Sequence, residues 1–345
     1  MISATSSFKN LVSAYCAHIG ADPMLVQGAG GNFSWKEGDT LWVKASGAWL
    51  ADANRKEIFI PVNLSHLLTA IAAGDFNVSP KVVEKSELRP SIETLLHALM
   101  PHKVVVHLHA VEVLSRLVRC NSDAEISSHV DKSLRWLSVE YFKPGAELAR
   151  AISESMQQAP DVEVVFLKNH GIVVGGADVK EIDDILKRLT AAFSTPPMTG
   201  KRDNISIVGL KEIEKIGYRL ISNQEIDLLV LNKQLFNRLK TDWALYPDHV
   251  VFLGPQAFFF DSMKDFISST LSADHPPELV FVRNAGVFGN EKFNEAKKVQ
   301  LKCYSDVMIR QSDDNQLDSL SDENISELLG WDAEKYRINL SLGDA

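Results

Sequence analysis

The stretch that decides the fold is Val104-Val105-Val106-His107-Leu108-His109-Ala110-Val111-Glu112-Val113-Leu114. Its first half is a short apolar run rich in β-branched residues, and its second half carries helical apolar spacing. The segment therefore reads as a buried strand running into a helix around Ala110–Arg119. Side chains two apart on a strand point to one face, so His107 and His109 are placed to reach one metal ion. A third histidine stands in Lys168-Asn169-His170-Gly171, at a Gly turn after a second apolar run, residues 162–168. Three neutral imidazoles that leave a fourth position open to substrate or water make a catalytic zinc site. The His-x-His spacing is equally that of two polar residues on a half-buried strand, and context has to decide between the two.

Working outward, residues 6–20 read as a first helix. Residues 28–50 read as two short strands joined by a turn at Lys36–Asp39, with Gly-rich corners at both ends. Helical periodicity covers 63–73 and 91–100. Ser91 is placed to cap the second of these helices, with Glu93 in its first turn. Pro144-Gly145 marks a turn before another helix, and a helix over Ile182–Phe193 stops before Pro196-Pro197. That doublet and the polar stretch after it set a boundary near 196–204 and divide the chain into 1–198 and 199–345. Beyond the boundary the chain echoes itself. Phe166-Leu167-Lys168-Asn169-His170-Gly171 and Phe281-Val282-Arg283-Asn284-Ala285-Gly286 carry Phe, Asn and Gly at an offset of 115. Ala285 stands where His170 stands, so the second region reads as a degenerate repeat that lacks the metal residues.

The formal charge is −9, and residues 311–345 hold nine acidic and two basic side chains, so the tail supplies most of it. The near-neutral remainder offers no basic face for nucleic acid. The tail reads as a solvated surface with one short helix around residues 325–337. Cys16, Cys120 and Cys303 match no metal or disulfide spacing. The N-terminus lacks a signal-peptide pattern, and no apolar stretch is long enough for a bilayer, so the expected location is the cytoplasm.

Four further segments supply the context. They are Gly30-Gly31-Asn32-Phe33-Ser34, Lys44-Ala45-Ser46-Gly47, Pro90-Ser91-Ile92-Glu93 and Tyr141-Phe142-Lys143-Pro144-Gly145. With His-Leu-His and Asn-His-Gly, in this order and spacing, the chain over about residues 8–195 resembles the class II aldolase/adducin family. The remaining third looks like the extra region of longer members, without a dinucleotide-binding Gly motif. The resemblance implies an α/β fold with a central, mainly antiparallel sheet flanked by helices, plus a smaller C-terminal domain. It implies His107, His109 and His170 as metal ligands, Glu93 as general acid/base, and Tyr141 as a catalytic residue that assists from a neighbouring subunit. Gly31, Asn32, Ser46, Gly47 and Ser91 match the segments that hold a substrate phosphate. Ile92 departs from the pattern, because phosphate-holding members often carry a second serine there. A carboxylate or a neutral sugar end is therefore also open as the substrate's terminus.

The implied activity is that of a divalent-metal-dependent carbon–carbon lyase acting on a small hydroxy-carbonyl or sugar-derived substrate. The ion would stabilise an enediolate as a Lewis acid while a carboxylate moves the proton. Epimerases, decarboxylases and dehydratases would use the same site, and a non-catalytic adducin-like scaffold is the rival of another class. Such scaffolds lack the ligand histidines, all of which this chain keeps. The expected ion is Zn2+, with Mn2+, Co2+ and Fe2+ as alternatives for three nitrogen ligands. The expected assembly is a homo-oligomer, dimer or tetramer, with a small-molecule substrate and neither nucleic acid nor membrane as partner. Lys44 reads either as a point charge in the site or as a solvated strand-end lysine. His97 reads as a support for the site or as a core histidine, and His102 as a surface residue.

Overall fold

The structure of the protein, a computed structural model, describes residues 4–200 and 210–343. The expected boundary near 196–204 falls partly outside the described residues. Seven strands form the first sheet: β1 (Asn32–Glu37), β2 (Thr40–Lys44), β3 (Phe59–Asn63), β4 (Val104–Leu108), β5 (Trp136–Val139), β6 (Val164–Leu167) and β7 (Gly171–Gly176). Their order is β3-β2-β1-β4-β7-β6-β5. Neighbours run antiparallel except β5 beside β6, which are parallel. This is the mainly antiparallel sheet that the resemblance implied.

β4 is the middle strand and is buried on both faces. Val104, Val106 and Leu108 pack into one apolar core with Phe33 and Ile172. Val105 packs into a second core on the opposite face. This two-sided burial explains why the sequence runs apolar without alternation. His107 is the polar exception, with Asn32 of β1 beside it on one side and Val173 of β7 on the other.

β6 and β7 form a hairpin whose turn, Lys168-Asn169-His170, places Asn169 in the left-handed region at φ 54°. Asn tolerates that conformation better than most residues because its short side chain bonds locally. Gly171 must lack a side chain, since a Cβ there would collide with the Leu108 carbonyl of the neighbouring strand.

A second sheet contains β8 (Tyr218–Ile221), β9 (Phe259–Phe260), β10 (Leu279–Val282) and β11 (Gly286–Asn290), in the order β8-β11-β10-β9. It has the topology of β4-β7-β6-β5, including one parallel pair at the end of the row. Asn284 in its hairpin turn also has φ 54°. The Asn169 amide donates to Leu117 O at 3.2 Å, and the Asn284 amide donates to Val230 O at 3.0 Å. The echo in the sequence thus corresponds to the same strand–turn–strand geometry followed by a helix, Val179–Phe193 in one unit and Glu295–Met308 in the other.

The two units share a core. Val111, Leu114 and Val118 pack with Leu229, Tyr246, Phe281 and Tyr304. The acidic tail holds two helices, Asp322–Gly330 and Asp332–Gly343, rather than one. The break falls at Trp331, whose extended backbone ends the first of them.

Asn169 clamps the units together. Its side-chain amide donates to Leu245 O at 3.0 Å and to Asp318 O at 2.6 Å. Asn169→Ala strands two carbonyls and strains the turn, and is expected to cost about 2–4 kcal/mol in urea unfolding. Asn284→Ala, at an exposed turn, is expected to lose only the left-handed preference, about 1 kcal/mol.

Candidate metal centre

The three histidines reach one point from two elements. His107 comes from β4 and His109 from just beyond its end. His170 comes from the last position of the β6–β7 turn. One ring nitrogen of each lies within 4.8 Å of the others, and all three residues are buried. The His107 ring approaches Ile172 O through Nδ1 at 3.0 Å, so Nδ1 carries the proton and Nε2 presents a lone pair. His107 Nε2 and His109 Nε2 face each other at 3.2 Å. Burial pushes the His107 and His170 imidazoles below their usual range, which keeps them neutral and available as ligands.

Glu93 closes the group. Its Oε1 lies 3.4 Å from His107 Nε2 and 3.4 Å from His170 Nε2, and it accepts no hydrogen bond among the described residues. Its Oε2 accepts from Asn32 Nδ2 at 2.6 Å. The local backbone differs from expectation, because the helix begins at Thr94 and Glu93 stands just ahead of it. Ser91 Oγ accepts the Glu93 amide at 3.2 Å, and Ser91 O accepts the Thr94 amide at 3.1 Å. An unpartnered carboxylate oxygen, nine-tenths buried beside three buried imidazoles, is a donor set suited to a divalent cation.

The cavity beside these groups is lined by Gly31, Asn32, Ser46, Gly47, Ser91 and Glu93, together with residues that the sequence did not single out. Asp248, Glu334 and Arg337 enter from the second unit and its last helix. Arg337 donates to Asp248 Oδ1 at 2.9 Å and to both Glu334 oxygens at 2.9–3.0 Å. Burial alone would raise the Asp248 carboxyl, but the Arg337 guanidinium and His109 hold it well below the usual range. Burial raises Glu334. Leu340 of the same helix covers Gly47, whose φ of +76° requires glycine. These contacts leave a narrow cavity of about 30 Å³. The tail is therefore a wall of the site and not only a solvated surface. It carries no motif, and the polar composition of its last helix concealed the inward face.

Other expected residues fall differently. Lys44 is buried rather than solvated, and its Nζ donates to Ala29 O at 3.0 Å and Ala48 O at 2.6 Å. Tyr141 does not line the cavity. It packs against the shared core, with its hydroxyl buried and unpartnered among the described residues. Burial, followed by the charges of Glu327, Glu147 and Glu334, raises its phenol above the usual range. His97 is a buried histidine bonded to Ser34 Oγ at 2.8 Å. His102 is half-buried against Gly175.

Comparison with known proteins places this geometry. Residues 10–193 match the family model for the class II aldolase and adducin N-terminal domain. A Bacillus subtilis protein described as an uncharacterized oxidoreductase, YuxG, is 30% identical over 174 residues, 46% of this chain and 25% of its own length. An L-fuculose phosphate aldolase of Methanococcus maripaludis is 26% identical over 162 residues, 46% of this chain and 80% of its own length. The match thus spans only a quarter of the Bacillus relative. The solved N-terminal class II aldolase domain of a Thermoplasma acidophilum protein is similar at 27% identity and TM-score 0.45, covering 53% of this chain and 90% of that one. Among the described residues, no helix is long and apolar enough to cross a membrane.

Burial lowers the Lys44 ammonium to about 7 and the Lys36 ammonium to about 8. A lysine whose folded value is depressed binds fewer protons folded than unfolded between the two values, so stability rises with pH across that window. Nitrogen-detected NMR of lysine-labelled protein is expected to show two ammonium groups titrating well below the rest, and Lys44→Met should remove the lower one.

Proposed function

The chain belongs to the class II aldolase and adducin N-terminal domain family, and on that premise we propose that it is a divalent-metal-dependent lyase. It would make or break a carbon–carbon bond in a small hydroxy-carbonyl or sugar-derived compound. The observation that carries the reading is the meeting of His107, His109 and His170 with the free oxygen of Glu93. The three imidazoles would hold the ion, most simply Zn2+, with Mn2+, Co2+ or Fe2+ also suited to nitrogen ligands. Bound there, a divalent ion supplies Lewis-acid stabilisation of the charge left beside a carbonyl when the bond breaks.

The remaining work falls to side chains. Asn32 holds Glu93 Oε2 and leaves Oε1 to take a proton from a substrate carbon or hydroxyl and return it later. Gly31, Asn32, Ser46, Gly47 and Ser91 line the cavity and would bind the substrate's polar end. Tyr141 lies outside this cavity, half-buried beside the core that joins the two units, and would assist at the site of a neighbouring subunit. Arg337 and Leu340 of the last helix narrow the cavity, so a substrate would bind against them.

Purified protein is expected to hold close to one equivalent of divalent metal per chain by elemental analysis. The double substitution His107→Ala, His109→Ala should abolish it, and a wild type below about a tenth of an equivalent would sink the metal reading, since such sites bind tightly. Glu93→Gln should retain the metal while slowing solvent-deuterium exchange into a small ketose such as dihydroxyacetone by about 10²–10⁴-fold. Exchange at the wild-type rate would remove Glu93 from the proton-transfer role.

A further inference from the structure

We infer that Asp248, a residue of the second unit, is a positioning residue for the metal ligand His109. The inference rests on the three-histidine reading above. Asp248 Oδ2 lies 3.5 Å from His109 Nδ1, and both side chains are buried. His109 Nδ1 has no other polar partner among the described residues. With Nε2 turned toward the other two rings, the ring's proton belongs on Nδ1, and Asp248 is the acceptor in reach. A carboxylate behind a ligating imidazole fixes its tautomer and orientation and raises its basicity.

The surroundings are built to keep Asp248 in that place. Arg337 grips its Oδ1 at 2.9 Å, and Gln300 Nε2 donates to its Oδ2 at 3.2 Å. Glu334 holds Arg337 in turn through both carboxylate oxygens. Gly30 leaves the space between them free. A Cβ there would fall 2.9 Å from Asp248 Oδ2 and 3.3 Å from His109 Nδ1. The relay Glu334–Arg337–Asp248–His109 thus runs from the last helix, through the second unit, to a ligand on the first. The unit that has no metal histidines of its own would set the strength of the first unit's site.

The test is competition between the protein and a chromophoric chelator for Zn2+, with the visible spectrum of the Co2+-loaded protein alongside. Asp248→Asn is expected to weaken Zn2+ binding by about 10–100-fold and to shift the Co2+ bands. Arg337→Lys, which keeps the charge and loses the two-carboxylate fork, should give a smaller loss in the same direction. In a His109→Ala background, Asp248→Asn should produce no further loss, because its route to the ion is gone. Unchanged Zn2+ affinity and Co2+ spectrum in an Asp248→Asn protein that melts like the wild type would overturn the inference alone. So would an equal loss in the His109→Ala background, which would mark Asp248 as a general packing residue. A wild type that binds no Zn2+ overturns the metal reading itself.

Discussion

Everything at this site follows from putting imidazoles on a strand that is buried on both faces. β4 sits between β1 and β7, and four of its five residues are aliphatic. A polar ring in that position is costly unless its nitrogens are satisfied. His107 meets the cost with one nitrogen through Ile172 O and presents the other to its fellow imidazoles and Glu93. The neighbouring groups are bound by the same requirement. Asn32, opposite His107 across the ladder, is satisfied by Glu93, and Glu93 retains one unpartnered oxygen. Each buried polar group limits where the next can be, and the set is closed by a single shared point. Such a network is stable only when all its members are satisfied.

The second unit shows what the same scaffold does without that requirement. Its hairpin keeps the left-handed Asn284 and the donated amide, which are properties of the turn. Ala285 takes the position of His170, and the interior of its sheet is filled by Val280, Val282 and Phe288. With no ring to satisfy, the core returns to ordinary apolar packing. The turn is therefore scaffold common to both units, and His170 is the residue placed on it that could hold a metal ion. The second unit contributes to the site from another region altogether, the Pro247–Leu253 helix and the C-terminal helix.

What could be read from the sequence was local. The two-sided burial of β4, the β1–β2 hairpin and the Asn-His-Gly turn each depend on a few adjacent residues with strong preferences. Glu93 was legible because it follows a serine at an expected helix start, although the helix begins only at Thr94 and Glu93 stands just ahead of it. Asp248, Glu334 and Arg337 were hidden for a physical reason. Asp248 follows Pro247 at the start of a helix, where an acidic residue is common for dipole reasons alone. Arg337 and Glu334 are three apart on a polar helix, the pattern of a solvated ion pair. Only the fold turns that pair inward. Lys44 stayed open between two readings because a strand-end lysine is usually solvated, whereas here it lines the cavity and two backbone carbonyls draw its Nζ into the interior.

The charge balance of the cavity bears on how a substrate would be received. Lys44 and Arg337 share a largely buried space with three carboxylates, Glu93, Asp248 and Glu334. Arg337 is already held by two of them, and burial leaves the Lys44 ammonium close to losing its proton at neutral pH. The lining as it stands therefore attracts a cation and repels an anion, and these effects are stronger here than in water. Binding of a divalent ion among the histidines would offset that negative charge. An anionic or strongly polar substrate end would then be accepted only after the ion is in place. It would have to compete with Asp248 and Glu334 for Arg337.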